Sequence, residues 1–92
     1  MATDKEYIEF VVERLSFLED IRYKKMFGEY CVYHDNNPSI LVCDNTCYLK
    51  INEKTDKYLT EKGFPYKGAK LHYILDIENA ELLQTLANEK II

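Results

Sequence analysis

The chain has 92 residues, of which 47% are hydrophobic and 30% charged, and its formal net charge is −4. That length holds one core and leaves no room for a second, so residues 1–92 read as a single domain. The acidic balance argues against sequence-independent binding to a phosphate backbone, which draws on lysine and arginine, and no apolar run approaches the roughly 18 residues of a membrane span.

The first predicted element is a helix. Thr3-Asp4-Lys5-Glu6 has the composition of a capping box, in which the Thr3 hydroxyl accepts from the Glu6 amide and the Glu6 side chain reaches back. Behind it, Ile8, Val11, Val12, Leu15 and Leu18 recur at helical spacing, with Glu6, Glu9, Glu13, Ser16 and Asp20 opposite. Phe10 and Phe17 lie off that apolar stripe, with Arg14 between them. Either a loop covers them, or Phe10, Arg14 and Phe17 form a contact patch for a partner or a second copy.

After Asp20 the hydrophobic period changes to two. Ile21–Met26 and Glu29–His34 read as strands on either side of Gly28, which relieves a bend or bulge. Asp35-Asn36-Asn37-Pro38 is turn chemistry, and Ser39–Cys43 is a third strand. Asp44-Asn45-Thr46 turns again before a fourth strand, Cys47–Ile51. Links this short force an antiparallel meander. Asn52 then opens a short helix that Lys62 and Gly63 close. A loop from Gly63 to Gly68 leads to a fifth strand, Lys70–Asp76. Asp76 or Asn79 caps a last helix whose inner stripe is Leu82, Leu83, Leu86 and Ala87. The order α-β-β-β-β-α-β-α predicts a two-layer α+β fold with a five-stranded antiparallel sheet.

No catalytic constellation emerges. Cys31, His34, Cys43 and Cys47 supply four zinc-type ligands. Strand parity weighs against a site, because Cys31 and His34 stand three apart and point to opposite faces. The three cysteines are an odd, sparse set and read as reduced thiols of a cytosolic protein, an expectation that the absence of an apolar leader supports. Neither His34 nor His72 neighbours a serine or cysteine in a nucleophile motif, and Glu9 and Glu13 sit on a solvated helix face. No glycine-rich phosphate cradle is present, and no cofactor is implied. In the stretch Tyr23–Tyr33, cations and rings interleave. Alternation sends Arg22 and Lys24 one way and Tyr23 and Lys25 the other, so the stretch reads first as a structural corner of the sheet. A nucleic-acid contact by Arg22, Lys24 and Lys25 stays open beside that reading.

Three segments, KMFGEYCVY, LVCDNTCYLKI and PYKGAKLHYILD, carry a resemblance to a known family. Lys25-Met26-Phe27-Gly28 with Tyr30, Asp44 ahead of Tyr48-Leu49-Lys50, and Pro65-Tyr66 together resemble the N-terminal domain of the TfoX (Sxy) family of bacterial competence regulators. The resemblance runs from the first helix to the last strand. It implies a two-layer α+β fold similar to secretion-chaperone-like domains, which often dimerise. It also implies a regulatory rather than enzymatic role, exercised with a partner transcription factor. Full-length members carry a second, helical domain after this one. This chain ends at Ile92 and is expected to be a stand-alone form.

Overall fold

The computed structural model describes residues 3–92, and they form three helices and one six-stranded sheet. Helix α1 spans Lys5–Arg14. Ile8, Val11 and Leu15 are buried on its inner side, while Glu6, Glu9 and Glu13 are exposed, as the helical spacing requires. The predicted capping box does not form. Asp4 is the N-cap and its side chain makes no capping bond. Thr3 is buried, and a buried hydroxyl takes the strongest acceptor within reach. Here that acceptor is the Glu29 carboxylate at 2.5 Å, across the fold.

Strands β1 (Ile21–Met26), β2 (Glu29–His34), β3 (Asn37–Cys43) and β4 (Thr46–Leu49) make the expected antiparallel meander. Each hairpin turns on two residues that both have positive φ: Phe27-Gly28, Asp35-Asn36 and Asp44-Asn45. Such pairs match the right-handed twist of the flanking strands. The second turn is shorter than its composition suggested, because Asn37 and Pro38 belong to β3. Pro38 is accommodated where the β2–β3 register shifts between Val32 and Tyr33.

The segment after β4 departs furthest from expectation. Helix α2 is a single turn, Glu53–Asp56. Asn52 and Thr55 close it reciprocally: the Asn52 side chain accepts from the Lys54 and Thr55 amides, and the Thr55 hydroxyl accepts from the Asn52 amide. No apolar stripe continues the helix beyond Leu59, which is buried. Lys62-Gly63, predicted as the helix end, is instead a short strand β5 on the edge of β6 (His72–Leu75). Its backbone groups find ladder partners there, a stronger claim than helix propensity. The sheet therefore has six strands where five were expected, in the order β1-β2-β3-β4-β6-β5. Helix α3 spans Ala80–Asn88, with the Asn79 side chain accepting from the Leu82 amide at 3.1 Å.

One face of the sheet is roofed by α1 and α3. Val32, Val42, Leu49 and Leu75 meet Ile8, Val11, Leu83 and Leu86 in a single core. The opposite face, which includes Cys31, Tyr33, Leu41, Tyr48 and Ile74 by register, lies outside that core, although Cys31, Cys43 and Tyr48 on it are buried. No helix is long and apolar enough to cross a membrane.

Candidate functional site

β1 is an edge strand, and its side chains are exposed from Arg22 to Met26. Tyr23 pairs with Val32 and Lys25 with Tyr30, both core residues. Tyr23 and Lys25 therefore lie on the helix side of the sheet, and Arg22 and Lys24 on the other. The Tyr23 ring meets Tyr30 edge-on at 5.5 Å, which fixes the strand from the core side. The Arg22 guanidinium is paired with Asp20 at 3.1 Å, the one ion pair among the described residues. The structure thus splits the three cations between two faces.

At the end of this strand stands Phe27. Its φ is 52°, in the left-handed region that suits glycine and disfavours a bulky residue. Its ring is wholly exposed, at 105% of the reference area, so no packing contact compensates. The turn beneath it is held from several sides. The Thr3 amide donates to the Gly28 carbonyl at 3.2 Å. The Glu29 carboxylate accepts from the Thr3 hydroxyl and from the Asp44 amide at 3.1 Å. Asn45 closes the set, accepting from the Asp4 amide at 2.9 Å and donating its own amide to the Thr3 hydroxyl oxygen at 3.3 Å. The N-terminal segment and two hairpin turns become one rigid block, from which Met26 and Phe27 project.

Phe10, Arg14 and Phe17 fall along one edge of the α1 segment but are not alike. Phe10 is 36% exposed, with its ring 6.2 Å from that of Tyr7. Phe17 is 45% exposed and lines a shallow groove with Leu83 and Gln84. Arg14 turns inward. Its guanidinium donates to the Ile77 carbonyl at 3.1 Å and the Glu78 carbonyl at 2.8 Å, strapping α1 to the approach of α3. Arg14 is thus committed to the fold.

The four zinc-type residues are not assembled. Cys47 lies in the core, 3.7 Å from the Tyr7 hydroxyl, whereas Cys31 and Cys43 lie on the other face by register. No group of three or more potential ligands is placed to hold a metal among the described residues. Burial pushes the Cys47 thiol up to about 12 and, joined by the charges of Glu29 and Asp44, pushes Cys43 up to about 11. Burial likewise raises Cys31. None is poised as a nucleophile, which requires the opposite shift.

A second surface was invisible in the linear chain. β3 runs seven residues and β4 only four. The chain leaves the sheet after Leu49, and a hollow of about 320 Å³ opens beside Pro38 and Ser39. Cys31, Leu41 and Tyr48 line it together with Lys50, Lys54, His72 and Lys90. These residues come from six separate segments, so no spacing rule gathers them. The only legible signal was the Tyr48-Leu49-Lys50 run, all of which lines the hollow.

The residues of the family pattern divide in the same way. Tyr30, Tyr48 and Pro65 are buried and structural, Gly28 completes the hairpin turn, and Met26, Phe27, Lys50 and Tyr66 are exposed. The model of the TfoX N-terminal domain matches residues 13–84. This chain belongs to the TfoX N-terminal domain family. It is also 37% identical over 90 residues to an "Uncharacterized 12.7 kDa protein in trpE 5'region" of Spirochaeta aurantia, a match covering 94% of this chain and 78% of that protein.

Proposed function

We propose that this TfoX N-terminal domain is a non-enzymatic interaction module that acts in transcriptional regulation through protein contacts, docking by the tip of the β1–β2 hairpin. One observation carries the reading: Phe27 combines a disfavoured left-handed backbone with complete exposure of its ring, on a turn that hydrogen bonds hold rigid. Folding gains nothing from that ring. Backbone strain at an exposed, preorganised position is where binding function is usually lodged. A rigid aromatic flanked by Lys24 and Lys25 suits an apolar socket with acidic groups at its rim. Family membership supports the regulatory half of the reading, and the partner it suggests is a transcription factor. No cofactor is needed.

The alternative is a nucleic-acid contact by Arg22, Lys24 and Lys25. In its favour, neither lysine is ion-paired among the described residues. Their division between two faces and the Arg22–Asp20 pair weigh against it. The test uses immobilised wild type and a Phe27→Gly variant against native cytosol, with and without nuclease. Glycine relieves the left-handed strain, so the variant is expected to be more stable by about 1 kcal/mol in urea denaturation while losing the captured protein. Undiminished capture by the variant, or capture abolished by nuclease alone, would overturn the protein-contact reading.

A further inference from the structure

We propose that the hollow beside Tyr48 and Lys50 is a binding site for a small organic anion, a carboxylate or phosphate carried on a flat apolar body. Its size, about 320 Å³, is that of a small-molecule site. Its lining is chemically asymmetric. Leu41, Tyr48 and Cys31 give it apolar walls, Lys50, Lys54 and Lys90 stand round it as exposed cations, and no carboxylate lines it. That is unexpected in a chain whose 16 acidic residues outnumber its 12 basic ones. Charge complementarity therefore selects an anion, and the walls select an apolar body attached to it.

The cations are also placed rather than scattered. The Lys50 carbonyl accepts from the buried Thr55 hydroxyl at 2.9 Å, and the Lys54 amide donates to Asn52 at 2.9 Å, so the α2 turn fixes the backbone from which both lysines project. Lys90 follows the end of α3 with φ at 58°, and the Ile91 amide donates back to the Leu86 carbonyl at 2.8 Å. Glycine is the usual residue at such a helix end. A lysine held there keeps a cation at the hollow at the expense of backbone comfort. His72 sits with its Nδ1 2.7 Å from the Lys70 carbonyl, so Nδ1 carries the proton that it donates. Its ring stands edge-on to Tyr48 at 6.4 Å, which sets the orientation of the wall. Attraction by exposed lysines is screened by salt, so binding weakens as ionic strength rises.

The test is a titration of the ¹⁵N-labelled chain followed by amide shifts, with phenyl phosphate, benzoate, benzyl alcohol and inorganic phosphate as separate probes. Saturable shifts are expected at Tyr48, Lys50, His72 and Ile91 with phenyl phosphate or benzoate. Apparent affinity should be about tenfold or more weaker for benzyl alcohol and for inorganic phosphate, because each lacks one half of the recognised chemistry. Whichever of the two organic anions binds tighter identifies the head group. A Lys50→Ala, Lys90→Gly double variant should lose the preference while keeping the rest of its spectrum, since glycine is welcome at position 90. Equal binding of benzyl alcohol and phenyl phosphate, shifts that never saturate, or shifts confined to other residues would overturn the proposal. So would an unchanged affinity in the double variant.

Discussion

The three hairpin turns of the meander share one backbone solution and differ in how they are filled. Asp35-Asn36 and Asp44-Asn45 use residues whose short polar side chains tolerate positive φ, and turns were legible there from composition alone. Phe27-Gly28 keeps the glycine and places a phenyl ring in the other left-handed position. Gly28 marks a bend by its residue type, whereas nothing in the local sequence marks Phe27 as sharing the left-handed conformation. The thiols illustrate the converse, residues with evident chemistry that burial silences. Cys43 and Cys47 have folded-state pKa values raised from 9.0 to about 11 and about 12, with burial as the first cause. A raised value means the folded state holds its protons longer than the unfolded chain. Their contribution to stability is therefore complete below pH 9 and is lost as pH rises through 11 and 12. Two expectations follow from one cause. Iodoacetamide should modify both thiols far more slowly in the native protein than in urea at neutral pH, and denaturation midpoints should fall above pH 9. Equal rates in the native and urea-unfolded chain would contradict the burial described.

Elements followed their hydrophobic period closely where that period was long. The leading helix, the first two strands and the last helix stand where alternation or helical spacing placed them. The segment after Asn52 carries no sustained period, and there tertiary pairing decided. Lys62-Gly63 joined the sheet because β6 offered an edge, and the one-turn α2 ended once Asn52 and Thr55 had satisfied each other. Thr3 shows the same competition at a helix start: a local cap was available, and a distant carboxylate won. Glu29 is the hub of that arrangement, accepting from both Thr3 and Asp44. Replacing Glu29 with Ala removes the acceptor of the exposed Asp44 amide and leaves the buried Thr3 hydroxyl only the longer contact to the Val42 carbonyl at 3.4 Å. The expected loss is about 1–3 kcal/mol in urea denaturation, together with faster amide exchange at Phe27 and Gly28. Unaltered stability and exchange would mean that the block at the base of the hairpin is not what holds the tip still.

At the scale of the molecule, α1 and α3 roof one face of the sheet, and the other face lies outside their core. Dimerisation, expected from the family resemblance, is proposed to use the α1 edge, where Phe10 and Phe17 remain partly exposed on either side of the inward-turned Arg14. Light scattering tests it. The wild type should run heavier than one chain, and a Phe10→Ser, Phe17→Ser double variant should run as a monomer with its fold intact. A mass that does not change between the two would exclude this edge as the interface. Arg14 should be left alone in such an experiment, because its bonds to the Ile77 and Glu78 carbonyls join two elements of the same chain.

What the sequence determined by itself was the α+β class, the meander, the amphipathic roof and the family, because each depends on neighbours within a few positions or on an ordered motif. The tertiary structure alone decided the sixth strand, the inward turn of Arg14, the separation of the cysteines onto two faces and the gathering of Lys50, Lys54, His72 and Lys90 about one hollow. Those features depend on which distant segments meet. Local periodicity specifies which side of an element is apolar, but not which other element will cover it or where coverage stops.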